Sequence, residues 1–375
     1  MKQNICFTNN LKKELFNIII KEKPLRILFV TTNKSFNSLK IQESINPIIS
    51  NFKTKRFYEF DNNPKLTDVK KGVGLIKKYQ PDLIIAIGGG SVIDMGKLIN
   101  VLSNNENYKD LIKNNCNLKD SKIPMIAIPT TSGTGSESTS FSVLYINNKK
   151  YSVSNKNMLP NYAIIDSSLC NTMSKSLRAA SAFDAFSQSI ESYWSINSTI
   201  ESKKISLKAI KMINKNILNS FKKNEKARHA MAIAANLSGQ AINITKTTAP
   251  HALSYYISTK HGIQHGHAVA LTLGKFLILN KPLDNSNINE KRGYKFLINS
   301  MKTLYKTLGV KSGEEASRYW YDLMNKTGLE SNISKACRIN KNGLKRIIAK
   351  VDQNRLKNNP VQVTTKQLMT TLWNS

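Results

Sequence analysis

The chain has 375 residues, 40% of them hydrophobic, which is enough for a large buried core and, at this length, for two domains. No apolar run reaches ~18 residues, which excludes a membrane-spanning helix, and MKQNICFTNNLKKELFNIII lacks the features of a secretion signal, so a cytoplasmic protein is expected. Lys and Arg outnumber Asp and Glu by 56 to 24, a formal charge of +32, yet the lysines are spread evenly with no helix-turn-helix, RNP or OB-type signature, which argues against nucleic acid as partner and for steering of anionic small molecules.

In chain order, RILFVTT (26–32) reads as a short buried strand and FYEF (57–60) as a second. Residues 68–79 have helical periodicity, with Val69, Val73 and Ile76 on one face. DLIIAIGGG (82–90) is a buried strand ending in glycines, SVIDMGKLINVL (91–102) a helix, and IPMIAIPTT (123–131) another buried strand. Such alternation predicts a parallel sheet with helices on both faces. From about Ser174 the segments read as helices, and RLKNNPVQVTTKQLMTTLW reads as a loop and a final short helix. The expected organisation is an α/β domain over 1–175 and an all-α domain over 176–375. Cys6, Cys116, Cys170 and Cys337 have no CxxC spacing and read as reduced, structural thiols.

Gly88, Gly89 and Gly90 follow a buried strand and precede a helix, where a backbone can approach a pyrophosphate and Ser91 adds a hydroxyl. The run is GGGS and not GxGxxG, so alone it is also compatible with a tight turn. A second glycine and hydroxyl loop, PTTSGTGSES (129–138), brings Thr130, Thr131 and Thr134 to the end of another buried strand. Two such loops suit a dinucleotide.

Asp184 and Gln188 are four apart and share a helix face. With His251 and His265 they suggest a divalent-metal site, because one carboxylate and two imidazoles are three strong ligands that leave a coordination position open. An N-cap role for Asp184 and structural roles for the imidazoles compete with this reading. Gln188 is open between metal, metal-bound water and helix neighbours. His261 and His267 are open between catalysis and supporting or surface roles. The aromatic residues of ESYW read as core. Lys246, five residues before His251, is open between surface charge and substrate contact.

Together the motifs GGGSVIDMGK, IPTTSGTGSE, the FDA helix, the HA…HG pair and RLKNNP resemble the iron-containing (group III) alcohol dehydrogenase family along nearly the whole chain. The resemblance implies a dinucleotide-binding α/β domain and a helical domain of the dehydroquinate synthase-like type, with metal held between them. It implies NAD(P)-dependent interconversion of an alcohol and an aldehyde or ketone. It also implies that Gly88, Gly89, Gly90 and Ser91 hold the pyrophosphate with Asp94 just beyond, that Thr130, Thr131 and Thr134 line the cofactor crevice, and that Lys150 lies near a ribose. Asp184, His251 and His265 match three metal ligands. Gln188 stands where the family commonly has His, which leaves iron and zinc as alternatives. Tyr255 stands where a second His is common, so a proton relay would use Tyr255, His261, His267 or water. Thr31, Thr32, Asn33 and Lys34 carry no carboxylate to repel a ribose 2′-phosphate, and NADPH is expected to be accepted.

QSIESYWSINST, AINITKTTAPHALSY and HGHAVALTL resemble the phosphonoacetaldehyde reductases within that family. A small anionic aldehyde is then the expected substrate, with Lys246, Thr247 and Thr248 at its head group and Arg178 a weaker candidate. A neutral short-chain alcohol and a dehydroquinate synthase-like lyase reaction are the alternatives. A homodimer is compatible with this reading.

Overall fold

In the computed structural model the residues described are 3–37, 39–113, 118–119, 123–147, 149–282, 284–351 and 356–373; Cys116 and Arg355 lie outside them. The chain divides into one unit of Met1–Thr131 with Gly135–Thr172 and another of Ser132–Thr134 with Met173–Ser375.

The first unit is organised by a six-stranded sheet. Its strands are β1 (Asn4–Thr8), β2 (Arg26–Thr31), β3 (Lys53–Phe57), β4 (Leu83–Gly88), β5 (Met125–Pro129) and, after a hairpin, β8 (Tyr162–Asp166). The order is β1-β8-β5-β4-β2-β3 and every neighbouring pair is parallel. β4, LIIAIG, is buried throughout, as a central parallel strand covered on both faces must be. Its residues alternate between two cores. Ile84 and Ala86 pack with Leu28, Val30, Val69, Val73 and Ile93, while Leu83, Ile85 and Ile87 pack with Ile27, Phe29, Leu15 and Ile45. Helices α1 (Leu11–Glu22) and α2 (Leu39–Asn51) therefore cover one face, and α3 (Leu66–Tyr79) and α4 (Gly90–Leu102) the other. Gly96 lets α4 lie close on the sheet, since a Cβ there would stand 3.1 Å from Ala86 Cβ and 2.8 Å from Met125 Cε.

One strand differs from expectation. The sequence reading placed it at 57–60, but β3 is Lys53–Phe57, and Tyr58 and Glu59 beyond it are exposed. β3 is an edge strand, KTKRF, and its lysines are what a sheet edge uses against further pairing. The apolar signal therefore begins only where the strand ends. The antiparallel hairpin of β6 (Phe141–Ile146) and β7 (Lys149–Ser154) is half polar and was likewise not evident from periodicity.

The second unit is helical. Its main helices are α5 (Lys175–Trp194), α6 (Ile200–Ser220), α7 (Glu225–Thr245), α8 (Ala249–His261), α9 (His265–Leu279), α10 (Tyr294–Leu308), α11 (Gly313–Lys326), α12 (Lys341–Ala349) and α13 (Thr365–Trp373). Ser174 caps α5 by accepting from Leu177 N, and Thr199 and Ser202 cap α6 reciprocally. α5 is the central helix: it packs on α6, α7, α9 and α10, and from Phe183 to Trp194 every residue is buried. Small Ser187, Ser189 and Ser192 let its neighbours approach, while Phe183 and Phe186 meet Trp320 of α11 at ring-centroid distances of 4.9 and 5.2 Å. Among the described residues no helix is long and apolar enough to cross a membrane.

Candidate cofactor and metal sites

In the first unit the β4–α4 turn is built by absent side chains. A Cβ on Gly88 would stand 2.5 Å from Val92 Cγ2, so the chain can turn this sharply from strand to helix only with glycine there. A Cβ on Gly89 would meet nothing closer than Thr131 Cγ2 at 3.6 Å, so at that position glycine keeps the mouth of the turn open. Thr130 N–H donates to Gly88 O at 3.0 Å and ties the β5 loop beside this mouth. The pair of glycine turns fits a pyrophosphate: backbone at a helix start, no Cβ in front of it, and threonines alongside.

Asp94, expected just beyond the pyrophosphate residues, bonds the neighbouring loop. Its Oδ1 takes the Ser136 hydroxyl and its Oδ2 the Val143 N–H at 2.9 Å. One turn on, fully buried Lys97 donates to Ser136 O (2.9 Å), Thr139 O (3.1 Å), Thr139 Oγ1 (2.9 Å) and Phe141 O (2.7 Å). Burial pulls the Lys97 ammonium below its ordinary range, and Asp94 offsets part of that. Asp94 and Lys97 together clamp the glycine loop to α4. Ser91 Oγ accepts from Asn63 N at 3.3 Å. Thr32 caps the turn Asn33–Phe36 by accepting from Ser35 N. Lys150 lies on β7 opposite Tyr145.

In the second unit Asp184, His251 and His265 converge. One ligand atom of each lies within 4.8 Å of the others, and His251 Nε2 is 3.4 Å from Asp184 Oδ1. Among the described residues, buried Asp184 Oδ1 has no hydrogen-bond partner. A buried carboxylate oxygen with two imidazoles beside it is the donor set a divalent cation requires, so the residues fit a metal ion. Gly266 makes the convergence possible. A Cβ there would run into Ala180 O and come within 2.7 Å of Asp184 Cβ, so α9 reaches α5 at this level only through glycine.

Behind His251 stands Glu191, in the ESYW stretch whose aromatic residues read as core. It is fully buried. Its Oε2 bonds His251 Nδ1. Its Oε1 accepts from Thr248 N (2.9 Å), Thr248 Oγ1 (2.9 Å) and His251 N (3.3 Å). The carboxylate thus caps α8, whose own N-cap Thr248 makes no side-chain cap bond, and fixes the ring of the ligand in the same helix's first turn. Burial draws the His251 imidazolium down, but Glu191 and Asp184 draw it up further, to about 9. Burial also raises the Asp184 carboxyl, and the two imidazoles carry it below its usual range. The signal for Glu191 was its spacing: residues 184, 188 and 191 fall at i, i+4 and i+7, one helix face.

Gln188 lies on that face, but its amide is engaged. Nε2 donates to Thr134 O at 3.2 Å, and Oε1 accepts from Ser238 at 2.9 Å. Tyr255 stacks flat on His265, with centroids 5.9 Å apart and planes at 5°. His267, two residues from His265 and so on another face of α9, bonds Glu330 O at 2.7 Å. His261 is in the last turn of α8 against Tyr256. Of the proton-relay candidates, the structure brings Tyr255 onto the His265 ring and His267 to Glu330 O.

Among the head-group candidates, Thr248 is buried between Glu191 and Trp194, whose Nε1 donates to its hydroxyl at 2.9 Å. Arg178 is buried in the first turn of α5. Lys246 is exposed, and its backbone has φ 60 and ψ 178.

With this geometry in place, comparisons with known proteins are specific. Residues 3–167 match the iron-containing alcohol dehydrogenase family and residues 178–375 the C-terminal region of the Fe-containing alcohol dehydrogenase family. An NADPH-dependent butanol dehydrogenase of Clostridium saccharobutylicum is 29% identical over 76% of this chain and 80% of that protein. A bifunctional aldehyde-alcohol dehydrogenase of Escherichia coli is 30% identical over 72% of this chain, which spans 32% of that longer protein. The crystal structure of a sulfoacetaldehyde reductase from Bifidobacterium kashiwanohense in complex with NAD+ superposes with a TM-score of 0.87 at 26% identity, over 99% of this chain and 96% of that one.

Proposed function

The chain belongs to the iron-containing alcohol dehydrogenase family, and from that premise we propose that it reduces a small aldehyde with an anionic head group, phosphonoacetaldehyde to 2-hydroxyethylphosphonate being the specific reaction. Enzymes of this family are oxidoreductases that use NAD(P) and a divalent metal. When bound, the metal supplies a Lewis acid for a carbonyl oxygen and the nicotinamide supplies hydride. Asp184, His251 and His265 would hold the ion. Glu191 would accept a hydrogen bond from His251 Nδ1–H and hold the ring so that Nε2, beside Asp184, is the atom left to ligate the ion. Tyr255, packed on His265, is the side chain we assign to proton delivery.

The head group rests on one observation. Lys246 occupies a region of backbone space that is essentially reserved for glycine and costs on the order of 1–3 kcal/mol in any other residue. Its neighbours over-determine that conformation. Asn358 Nδ2 donates to Thr245 O (2.9 Å) and Thr247 O (2.8 Å), Thr245 Oγ1 to Lys246 O (2.8 Å), and Lys246 N to Ile242 O (2.8 Å). A lysine kept where glycine would be relaxed, five residues before His251, supports a charge used to orient substrate. Similarity to a sulfoacetaldehyde reductase, an enzyme named for an aldehyde with an acidic head group, points the same way. The butanol dehydrogenase relative supports the competing neutral substrate.

Steady-state assays with phosphonoacetaldehyde, sulfoacetaldehyde and butanal decide between them. The expected result is stoichiometric NAD(P)H consumption and a higher kcat/KM for phosphonoacetaldehyde than for butanal. A higher kcat/KM for butanal overturns the head-group reading, and turnover of a substrate without net NAD(P)H consumption overturns the reductase.

A further inference from the structure

The carboxyl ends of β2 and β3 hold a cation that the cofactor reading has not used. β3 pairs with β2 in parallel, Arg56 opposite Phe29. The β2 strand runs out at Thr31 into the turn Asn33–Phe36. Arg56 lies against that turn: its guanidinium carbon is 4.2 Å from the Phe36 ring centroid and 4.0 Å from that of Tyr58. Its Nη2 donates to Asn33 Oδ1, and its Nε is buried and makes no hydrogen bond. The aromatic contacts orient the guanidinium plane, so its in-plane N–H edge is left to do the bonding.

The sheet order β4-β2-β3 sets what could arrive there. The glycine turn closes β4, so a dinucleotide whose pyrophosphate sat on it and whose adenosine ran along the strand ends would bring its ribose toward the end of β2. Arg56 stands one strand further, roughly 10 Å from β4 in all. An acidic residue at the end of β2 would bond the two ribose hydroxyls and repel a phosphate, whereas an arginine nearby accommodates a 2′-phosphate. Residues 31–34 are Thr, Thr, Asn and Lys, with no acid among them.

We propose that Arg56 selects NADPH over NADH by pairing its guanidinium edge with the 2′-phosphate, Asn33 holding it in place. This rests on the glycine turn as the pyrophosphate seat and on the family's use of NAD(P).

The test is fluorescence titration of the full chain with NADPH and NADH, with 2′,5′-ADP and 5′-AMP as competitors. The unsubstituted protein should bind the 2′-phosphorylated member of each pair more tightly. Arg56→Met should weaken NADPH about tenfold or more, the loss of a hydrogen bond to a charged group, and leave NADH within twofold. Equal binding of both pairs by the unsubstituted protein contradicts NADPH preference itself. A retained preference in Arg56→Met moves it to another residue, such as Lys34. Equal weakening of both cofactors makes Arg56 structural. If Arg56→Met does not fold, Asn33→Asp serves instead. It puts a carboxylate against Arg56 and should reverse the preference, and an unchanged preference overturns the assignment.

Discussion

The two units build their candidate sites from opposite materials. In the first, Gly88 and Gly89 contribute what they lack, and the charged residues nearby, Asp94 and Lys97, are spent on holding a loop. In the second, ionisable side chains are themselves the candidate site: buried Asp184 and His251 converge with half-buried His265, and Glu191 holds His251 from behind. A site made of backbone should fail when atoms are added. A site made of buried charge should fail when a partner is neutralised, because the remaining groups are left in a low-dielectric interior without compensation.

The largest effect should come from the ligand set. His265→Ala removes one of the three proposed ligands and should abolish turnover and deplete metal in elemental analysis of the purified protein. Full occupancy with normal turnover would remove His265 from the site. Adding a methyl group should separate the two units next. Gly266→Ala drives a Cβ into Ala180 O and should lower Tm by several degrees and reduce metal content, an overpacking cost of about 1–3 kcal/mol or more. Gly89→Ala has room against Thr131 and should leave Tm nearly unchanged while weakening cofactor binding. Equal Tm losses in the two variants would erase the distinction.

Glu191→Gln tests the charge behind the ligand. If the amide oxygen keeps the bonds at Oε1, the NH2 group faces His251 Nδ1. The ring must then carry its proton on Nε2, where metal binds. Metal affinity by chelator competition should fall about 10–100-fold, and unchanged affinity would make Glu191 only a helix cap.

The smallest effect contrasts buried Lys97 with half-buried Lys203. Lys97 is surrounded by oxygen acceptors, but Lys203 lies over the Tyr193 and Phe296 rings with Ser300 as its hydroxyl partner. Burial, with Arg292 adding to it, pulls Lys203 down to about 8. Its unfolded value is about 10.4. Between those values the unfolded chain binds more protons, so this group makes stability rise with pH from about 8 to about 10.4 and is a constant penalty below that window. After screening by the water that reaches it, the effect is about 1 kcal/mol. Lys203→Met should flatten that rise in chemical denaturation curves taken across the window, and an unchanged slope would assign the rise to other groups.

Why some of this was legible follows from the same contrast. The β4–α4 turn could be read because a buried strand, a glycine run and an apolar helix are adjacent in sequence, and the α/β and all-α division because periodicity changes at about Ser174. Asp184, His251 and His265 could be read as ligand types. Glu191 could not, because its neighbours Tyr193 and Trp194 are core residues and its value lies in an imidazole on another helix. The burden on Asp94 was hidden for a like reason, since the Ser136 hydroxyl and Val143 N–H that occupy it come from a distant loop. Nothing local marks Lys246 as strained either; the Asn358 amide that fixes its neighbours comes from the far end of the chain.

The most direct test of the anionic-aldehyde reaction is Lys246→Gly, measured as the ratio of kcat/KM for phosphonoacetaldehyde to that for butanal, with Tm alongside. Glycine suits φ 60 and ψ 178 and removes the charge. The expected result is a ratio lowered about tenfold or more, through phosphonoacetaldehyde alone, in a protein with Tm at least as high as before. An unchanged ratio would contradict the account, because the strain at Lys246 would then serve no substrate charge.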